Sequence, residues 1–215
     1  MQAEAAATAD IAPLLVDLLH HASIEIAAGH PHAIETLHDQ FDPGTEVFVN
    51  FVPKGDYRVV AETAAGLRRA GFVPVPHIAA RSLASREALA DFVARLAGEA
   101  GVERVLLIAG DRSPPAGPFA SSMDLLSTGI LEGRGIKKVG IAGHPEGHPM
   151  VGGAVLDAAL LEKRAYAASA GLAPFIVTQF CFDARPILAW LTRLRAKGID
   201  TPVQIGVAGP ATVAT

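Results

Sequence analysis

Seven short apolar runs alternating with helix-patterned segments predict an α/β chain of the (β/α)8 TIM-type barrel class. Three observations carry that expectation. The runs recur at roughly 30-residue intervals, each long enough for one strand and its crossover. The segments between them place apolar residues three and four apart and close on glycine. No G-x-G-x-x-G turn follows the first run, which argues against a dinucleotide-binding sheet. A flavodoxin-like open sheet is the structural alternative.

The expected strands, in order, are ASIEIAA (22–28), EVFVNFV (46–52), FVPVPHI (72–78), RVLLIAG (104–110), KVGIAG (138–143), PFIVTQF (174–180) and PVQIGVA (202–208). Their Val and Ile content is what strands covered on both faces require. Helices are expected at DYRVVAETAAGLRRAG, SREALADFVARLAGEAG, VLDAALLEKRAYAASAG and ARPILAWLTRLRAKG. Each ends on a glycine suited to the left-handed cap position, and the last sets basic residues against the negative end of its dipole. Residues 1–21 read as an N-terminal amphipathic helix packing on the body, and 22–215 as a single barrel domain. A closed eight-unit barrel typically takes ~250 residues. Seven units are therefore visible in these 215 residues, and the eighth is expected to be missing.

Composition narrows the function. The chain is 50% hydrophobic and 19% charged with a formal net charge of −4, which suits one globular core and gives no basic footprint for nucleic acid. No apolar run approaches the ~18 residues of a membrane span. The N-terminus lacks a basic flank and is interrupted by Glu4, Asp10 and Asp17, unlike a signal peptide. A single cysteine, Cys181, excludes an internal disulfide framework and fits a cytoplasmic setting. The expected partner is a small molecule, and exposed barrel edges would favour a homo-oligomer.

In such barrels the chemistry sits at the C-terminal ends of the strands. The polar residues there are Glu25, Asn50, His77, Asp111, the His144–His148 loop, Thr178, Gln179 and Asp183. The loop GHPEGHP has two histidines four apart, but Pro145, Gly147 and Pro149 break the helix that a zinc-binding H-E-x-x-H pair needs, so no metal is expected. Glu25, inside an apolar strand, reads either as a general acid whose pKa burial raises or as half of a structural ion pair. Asp111 reads as a rim acid or a turn cap. Thr178 and Gln179 with Phe180 and Phe182 suit a neutral, flat heteroaromatic ligand, with core packing expected for at least one phenylalanine. Cys181 has no evident activating partner and reads as an inert buried thiol.

Taken in order, these strand ends resemble the methylenetetrahydrofolate reductase family of flavin-dependent (β/α)8 barrels. SIEI matches the family's S-x-E, LLIAGD its L-x-G-D, IAGHPEGHP its A-x-x-P-E-x-H-P and IVTQFCFD its T-Q-F-x-[FY]-D, over about residues 22–208. The resemblance implies reduction of 5,10-methylenetetrahydrofolate to 5-methyltetrahydrofolate, with hydride from NAD(P)H passing through FAD. It makes Glu25 the acid that protonates the folate's bridging nitrogen and Asp111 the aspartate beside flavin and pterin. Gln179, with Phe180 and Phe182, falls on the folate side. Asn50, His77, Gly110, His144 and His148 fall on the cofactor side. Asp157 matches a residue binding the ribityl or adenosine part, and Lys163 or Arg164 would face the diphosphate. Ala109 and His144 depart from an arginine and a tyrosine common in the family, and AYAASAG is longer than the usual helix end. Those departures leave open a flavin-independent folate reductase, or a non-catalytic or truncated barrel that binds flavin or pterin without turnover. No residue in a recognisable context decides between NADH and NADPH.

Overall fold

The computed structural model describes residues 11–51 and 55–208. Seven strands, β1 (Ile24–Ala27), β2 (Glu46–Asn50), β3 (Val73–Ala79), β4 (Arg104–Ile108), β5 (Lys138–Gly143), β6 (Ala173–Cys181) and β7 (Val203–Val207), form one sheet. Every neighbouring pair is parallel and the spatial order is the chain order. That order is barrel-like; a flavodoxin-like sheet reverses direction at a switch point, and none occurs here. The sheet curls into a partial (β/α)8 barrel.

Strand parity builds two cores. Val47, Val49, Ile78, Val105, Leu107 and Val139 face outward and pack with Leu67, Phe92 and Leu96 of the helix layer. The opposite parity turns Phe48, Val75, Leu106 and Phe175 into the lumen, where they form their own cluster. Gly140 makes that layer possible: a Cβ there would lie 2.8 Å from both Leu106 and Phe175, so only glycine lets the two large side chains fill the space.

At the N-terminal ends of the strands the lumen is plugged by charge. Arg104 on β4 donates to Glu46 on β2 and, at 2.8 Å, to Oε1 of Gln204 on β7. The Gln204 amide closes the triangle by donating to Glu46 at 3.2 Å. The guanidinium also lies 3.8 Å over the Phe175 ring, where the π face attracts it. These bonds reach across the lumen between strands that are not ladder neighbours, and they hold the curl.

The helices are α1 (Ile11–His20), α2 (Pro31–Leu37), α3 (Tyr57–Arg69), α4 (Arg86–Ala100), α5 (Ser122–Leu126), α6 (Gly153–Ser169) and α7 (Ala184–Ala196). All four expected helices form, and Asp56, Ser85 and Asp183 cap α3, α4 and α7 through backbone N–H groups. Asp183, a strand-end candidate, is thus a helix cap tied to Arg185. Helices α2 and α5 were not expected. They are too short to display a helical period; their signals are Pro31 in the first turn and a Ser121–Asp124 capping box. The N-terminal reading needs correction: α1 forms, but none of its residues is buried, and Leu14, Leu18 and Leu19 stay largely exposed. An apolar stripe specifies a face to be covered, not what covers it. Residues 1–10 of that segment lie outside the described residues.

Arg104→Met leaves Glu46 without its charge partner in the plugged lumen and is expected to cost about 3 kcal/mol. Adding Glu46→Leu should recover much of the loss, because the pair then leaves together. Urea midpoints of the two variants check both statements.

Candidate functional site

Because all strands run the same way, the C-terminal ends of β1–β6 share one edge of the sheet. That edge carries Glu25, Asn50, His77, Asp111, the His144–His148 loop and Gln179. Side-chain contacts unite a smaller set. Ile24 and Ile26 pack outward on the main core, so the intervening Glu25 faces the lumen. Its register partner is Phe48, whose ring meets the His77 ring edge-on at 6.0 Å. His77 Nε2 lies 3.7 Å from Glu25 Oε2, and the Asn50 side chain stands beside the carboxyl. His77 is buried, and its Nε2 has no hydrogen-bond partner.

Electrostatics there favour neutral forms. About half of the Glu25 side chain faces the open lumen and the rest packs on the strand walls. This partial desolvation raises its pKa, with the Asn50 side chain pulling weakly the other way. Burial alone lowers the His77 pKa to about 4. An imidazole that stays neutral beside a carboxyl that resists ionisation is not an ion pair, despite the short distance.

Just after β4, Gly110 takes φ +80°, and a Cβ there would press on the Ala79 Cβ at 3.2 Å. The turn is also held by Arg81 N–H donating to the Ala109 carbonyl, which leaves Asp111 exposed at the rim. After β5 the His144 carbonyl accepts from Gly147 N–H at 3.1 Å, and Gly147 takes φ +84°. The segment is a turn, as its prolines demand. Its two imidazoles stack edge-to-face at 5.6 Å, and His148 Nδ1 accepts from Met150 N–H at 3.2 Å. Burial, then His148 and Lys163, lower the His144 pKa. Among the described residues no cluster of His, Cys, Asp or Glu could hold a metal ion.

Between this loop and helices α6 and α7 lies a cavity of ≈ 220 Å³ lined by His144, Gly153, Asp157, Trp190 and Arg193. Asp157 is engaged by Lys197 at 2.7 Å, and Arg164 Nε donates to Thr201 at 2.9 Å. Lys163 is partly buried, and that burial lowers its pKa.

The end of β6 is reshaped by a bulge. The β6–β7 register slips between Val177 and Phe180, and Thr178 Oγ1 fills the gap by accepting from Gly206 N–H at 2.9 Å. Gly206 is required, since a Cβ would lie 2.8 Å from the Thr178 carbonyl oxygen. Within the bulge Gln179 is exposed. Phe180 and Phe182 are 58% and 82% exposed and meet edge-to-face at 5.7 Å. The expectation that one of them packs into the core is therefore corrected: Phe180, paired with Gly206, and Phe182, just past the strand end, both turn their rings to solvent. Cys181 is buried, and burial followed by the neighbouring Glu146 raises its pKa, as befits an unreactive thiol.

A flavin is the cofactor that the family resemblance implies. The lumen end fits its flat ring: the buried His77 ring, the Asn50 side chain and the close-packed Gly110 backbone all lie there. The dinucleotide half is less provided for. Asp157 and Arg164 already have protein partners, and the adjoining cavity falls below the ~300 Å³ at which small-molecule pockets begin.

Fold and rim together define a barrel-type protein with a carboxylic acid at the mouth of its lumen. The sequence profile described as Methylenetetrahydrofolate reductase matches residues 59–210, well over half of the chain. The chain belongs to the methylenetetrahydrofolate reductase family. It is 28% identical over 116 residues to Methylenetetrahydrofolate reductase 2 of Saccharomyces cerevisiae (strain ATCC 204508 / S288c), covering 50% of this chain and 19% of that protein. The chain thus spans about a fifth of the length of that curated relative. Among solved structures, D-psicose 3-epimerase from Clostridium cellulolyticum H10 superposes at TM-score 0.45 with 12% identity, covering 89% of this chain and 88% of that one. A likeness that distant says nothing of chemistry. Glu25 and Asn50 precede the matched residues, so their assignment rests on the SIEI motif and on the geometry above.

The His77 pKa predicts a pH dependence of stability. The unfolded imidazole takes up a proton below its ordinary pKa of ~6.5, whereas the folded one resists until about pH 4. Between those values the unfolded state binds more protons, so stability falls as pH drops. From pH 7.5 to pH 5 the wild type should lose about 2 kcal/mol more than His77→Gln. Paired urea titrations at the two pH values test this.

Proposed function

We propose that this chain is a folate-dependent oxidoreductase that reduces 5,10-methylenetetrahydrofolate to 5-methyltetrahydrofolate with hydride from NAD(P)H, in the cytoplasm. The observation that carries the reading is the Glu25 carboxyl, turned into the lumen mouth with a raised pKa inside a family defined by this reduction. A carboxyl whose pKa burial raises is a better proton donor than an exposed glutamate, and from this position it can protonate the bridging nitrogen of the folate. The nitrogen–methylene bond then opens to an iminium, whose carbon accepts the hydride, and Glu25 is left as carboxylate. Gln179, with the exposed Phe180 and Phe182 rings, offers an amide and an aromatic platform to the pterin, and Asp111 stands at the rim. Bound FAD would relay the hydride; Asn50, His77, Gly110, His144 and His148 would hold it, with Asp157 and Lys163 or Arg164 toward its distal half.

A second reading is favoured by the engaged Asp157 and Arg164 and the small cavity beside them: hydride passes directly from nicotinamide to folate, without flavin. The purified protein separates the two. A bound chromophore with flavin absorbance, released on denaturation, supports the first; a colourless protein that still oxidises NAD(P)H with methylenetetrahydrofolate supports the second.

Glu25→Gln should slow methyltetrahydrofolate formation by about 100-fold or more while leaving nicotinamide binding intact. Chromatographic assay of the product checks it, and an unchanged rate would remove Glu25 from the chemistry.

A further inference from the structure

Two polar groups face each other at the lumen mouth, and neither has found its full complement of partners. His77 is 6% exposed, with an Nε2 that no donor or acceptor meets. Glu25 Oε2 stands 3.7 Å away, just beyond hydrogen-bond length and within reach of a small carboxyl rotation. Phe48 fixes the imidazole from its edge, and Asn50 stands beside the carboxyl on the β2 side. Among the described residues no other charged group bears on this carboxyl. An ion pair would put two charges into a partly dry lumen, with no third charge to balance either one. A hydrogen bond between two neutral groups needs none.

We propose that Glu25 and His77 form a neutral acid–imidazole pair, in which the carboxyl O–H donates to the Nε2 lone pair and the histidine holds the proton-bearing oxygen toward the lumen. The proposal rests on the folate-reductase reading for what receives the proton, not for the pair itself. His77 is then a positioning residue. It carries its own proton on Nδ1 and never becomes imidazolium. On substrate protonation the O–H swings from Nε2 toward the lumen, the Glu25 O–H bond breaks, an N–H bond forms on the folate nitrogen, and Glu25 is left as a carboxylate beside Asn50. Solvent water reaching the half-exposed carboxylate then returns a proton to it, and Nε2 again accepts from the carboxyl O–H. Glutamine at position 77 could replace the acceptor with its amide oxygen; leucine could not.

The test needs no turnover in its first arm. Nitrogen-15 spectra of the full chain at neutral pH, with His77→Gln used to assign the signal, should show His77 neutral with its proton on Nδ1 and none on Nε2. Carbon-13 spectra should show the Glu25 carboxyl still protonated at a pH where exposed glutamates have ionised. A proton on Nε2, or an imidazolium, overturns the pair. In the second arm, His77→Leu should lower kcat about tenfold, with KM for NAD(P)H unchanged and with His77→Gln restoring most of the rate. Equal rates in wild type and His77→Leu overturn the positioning role, even if the leucine variant is less stable. If the spectra show the neutral pair but the protein makes no methyltetrahydrofolate, the pair stands and the folate reading falls.

Discussion

The triangle of Arg104, Glu46 and Gln204 is the constraint on which the rest of the structure depends. Seven parallel strands could lie in a gently twisted open sheet, and β1 and β7 share no ladder. What draws β7 toward β2 is a guanidinium that can satisfy a carboxylate and an amide at once from a strand between them. Arginine suits this task because its planar fork presents several donors in fixed directions and its face can also rest on Phe175. A lysine would offer a compact charge with neither the fixed fork nor a face to rest on Phe175. With the base closed, side chains of inward parity must converge, and the Phe48–Val75–Leu106–Phe175 layer follows, relieved by Gly140.

Convergence at the base also fixes the mouth. Residues two positions further along each strand keep the inward parity, so the same alternation that buries Phe48 and Val75 presents Asn50 and His77 to the lumen above them. Glu25 joins them from β1, as the register partner of Phe48. Rigid strands therefore set the acid and its imidazole neighbour, whereas the groups offered to larger ligand parts sit on less regular backbone. The His144–His148 turn and the segment beyond the β6 bulge are of that kind. This division is what the proposed site would need, with fixed distances for proton transfer and adaptable backbone for ligand contacts.

Much of this was legible in the sequence, for physical reasons that differ by element. All seven strands were, because burial on both faces leaves Val- and Ile-rich runs, and Gly71, Gly101, Gly171 and Gly198 punctuate the helices through their left-handed backbone. The barrel order followed from the repeat of strand and crossover. Glu25 was legible because a carboxylate between Ile24 and Ile26 breaks an apolar pattern. What could not be read is pairing across long separations. Nothing in the sequence links Glu46, Arg104 and Gln204, or Glu25 and His77, since strand curl brings them together. The β6 bulge was invisible as well: Thr178 and Gly206 make it jointly, 28 residues apart. For the same reason the exposure of Phe180 and Phe182 ran against expectation, and the uncovered face of α1 could not be foreseen.

The lumen thus holds two polar clusters with opposite solutions to one problem. At the base a cation meets an anion, and attraction at an effective dielectric of ~20 is worth about 4 kcal/mol for charges ~4 Å apart, enough with added hydrogen bonds to offset desolvation. At the mouth Glu25 meets an imidazole that burial keeps neutral, so no cation stands ready to hold its charge. Partial burial there tilts the carboxyl toward its protonated form. Exchanging the partners would exchange the behaviours: an arginine in place of His77 would ionise Glu25 and lock it into the wall, as Glu46 is locked. The mouth remains chemically available because its neighbour is a weak base in a dry place, while the base of the lumen is structural because its neighbour is a permanent charge.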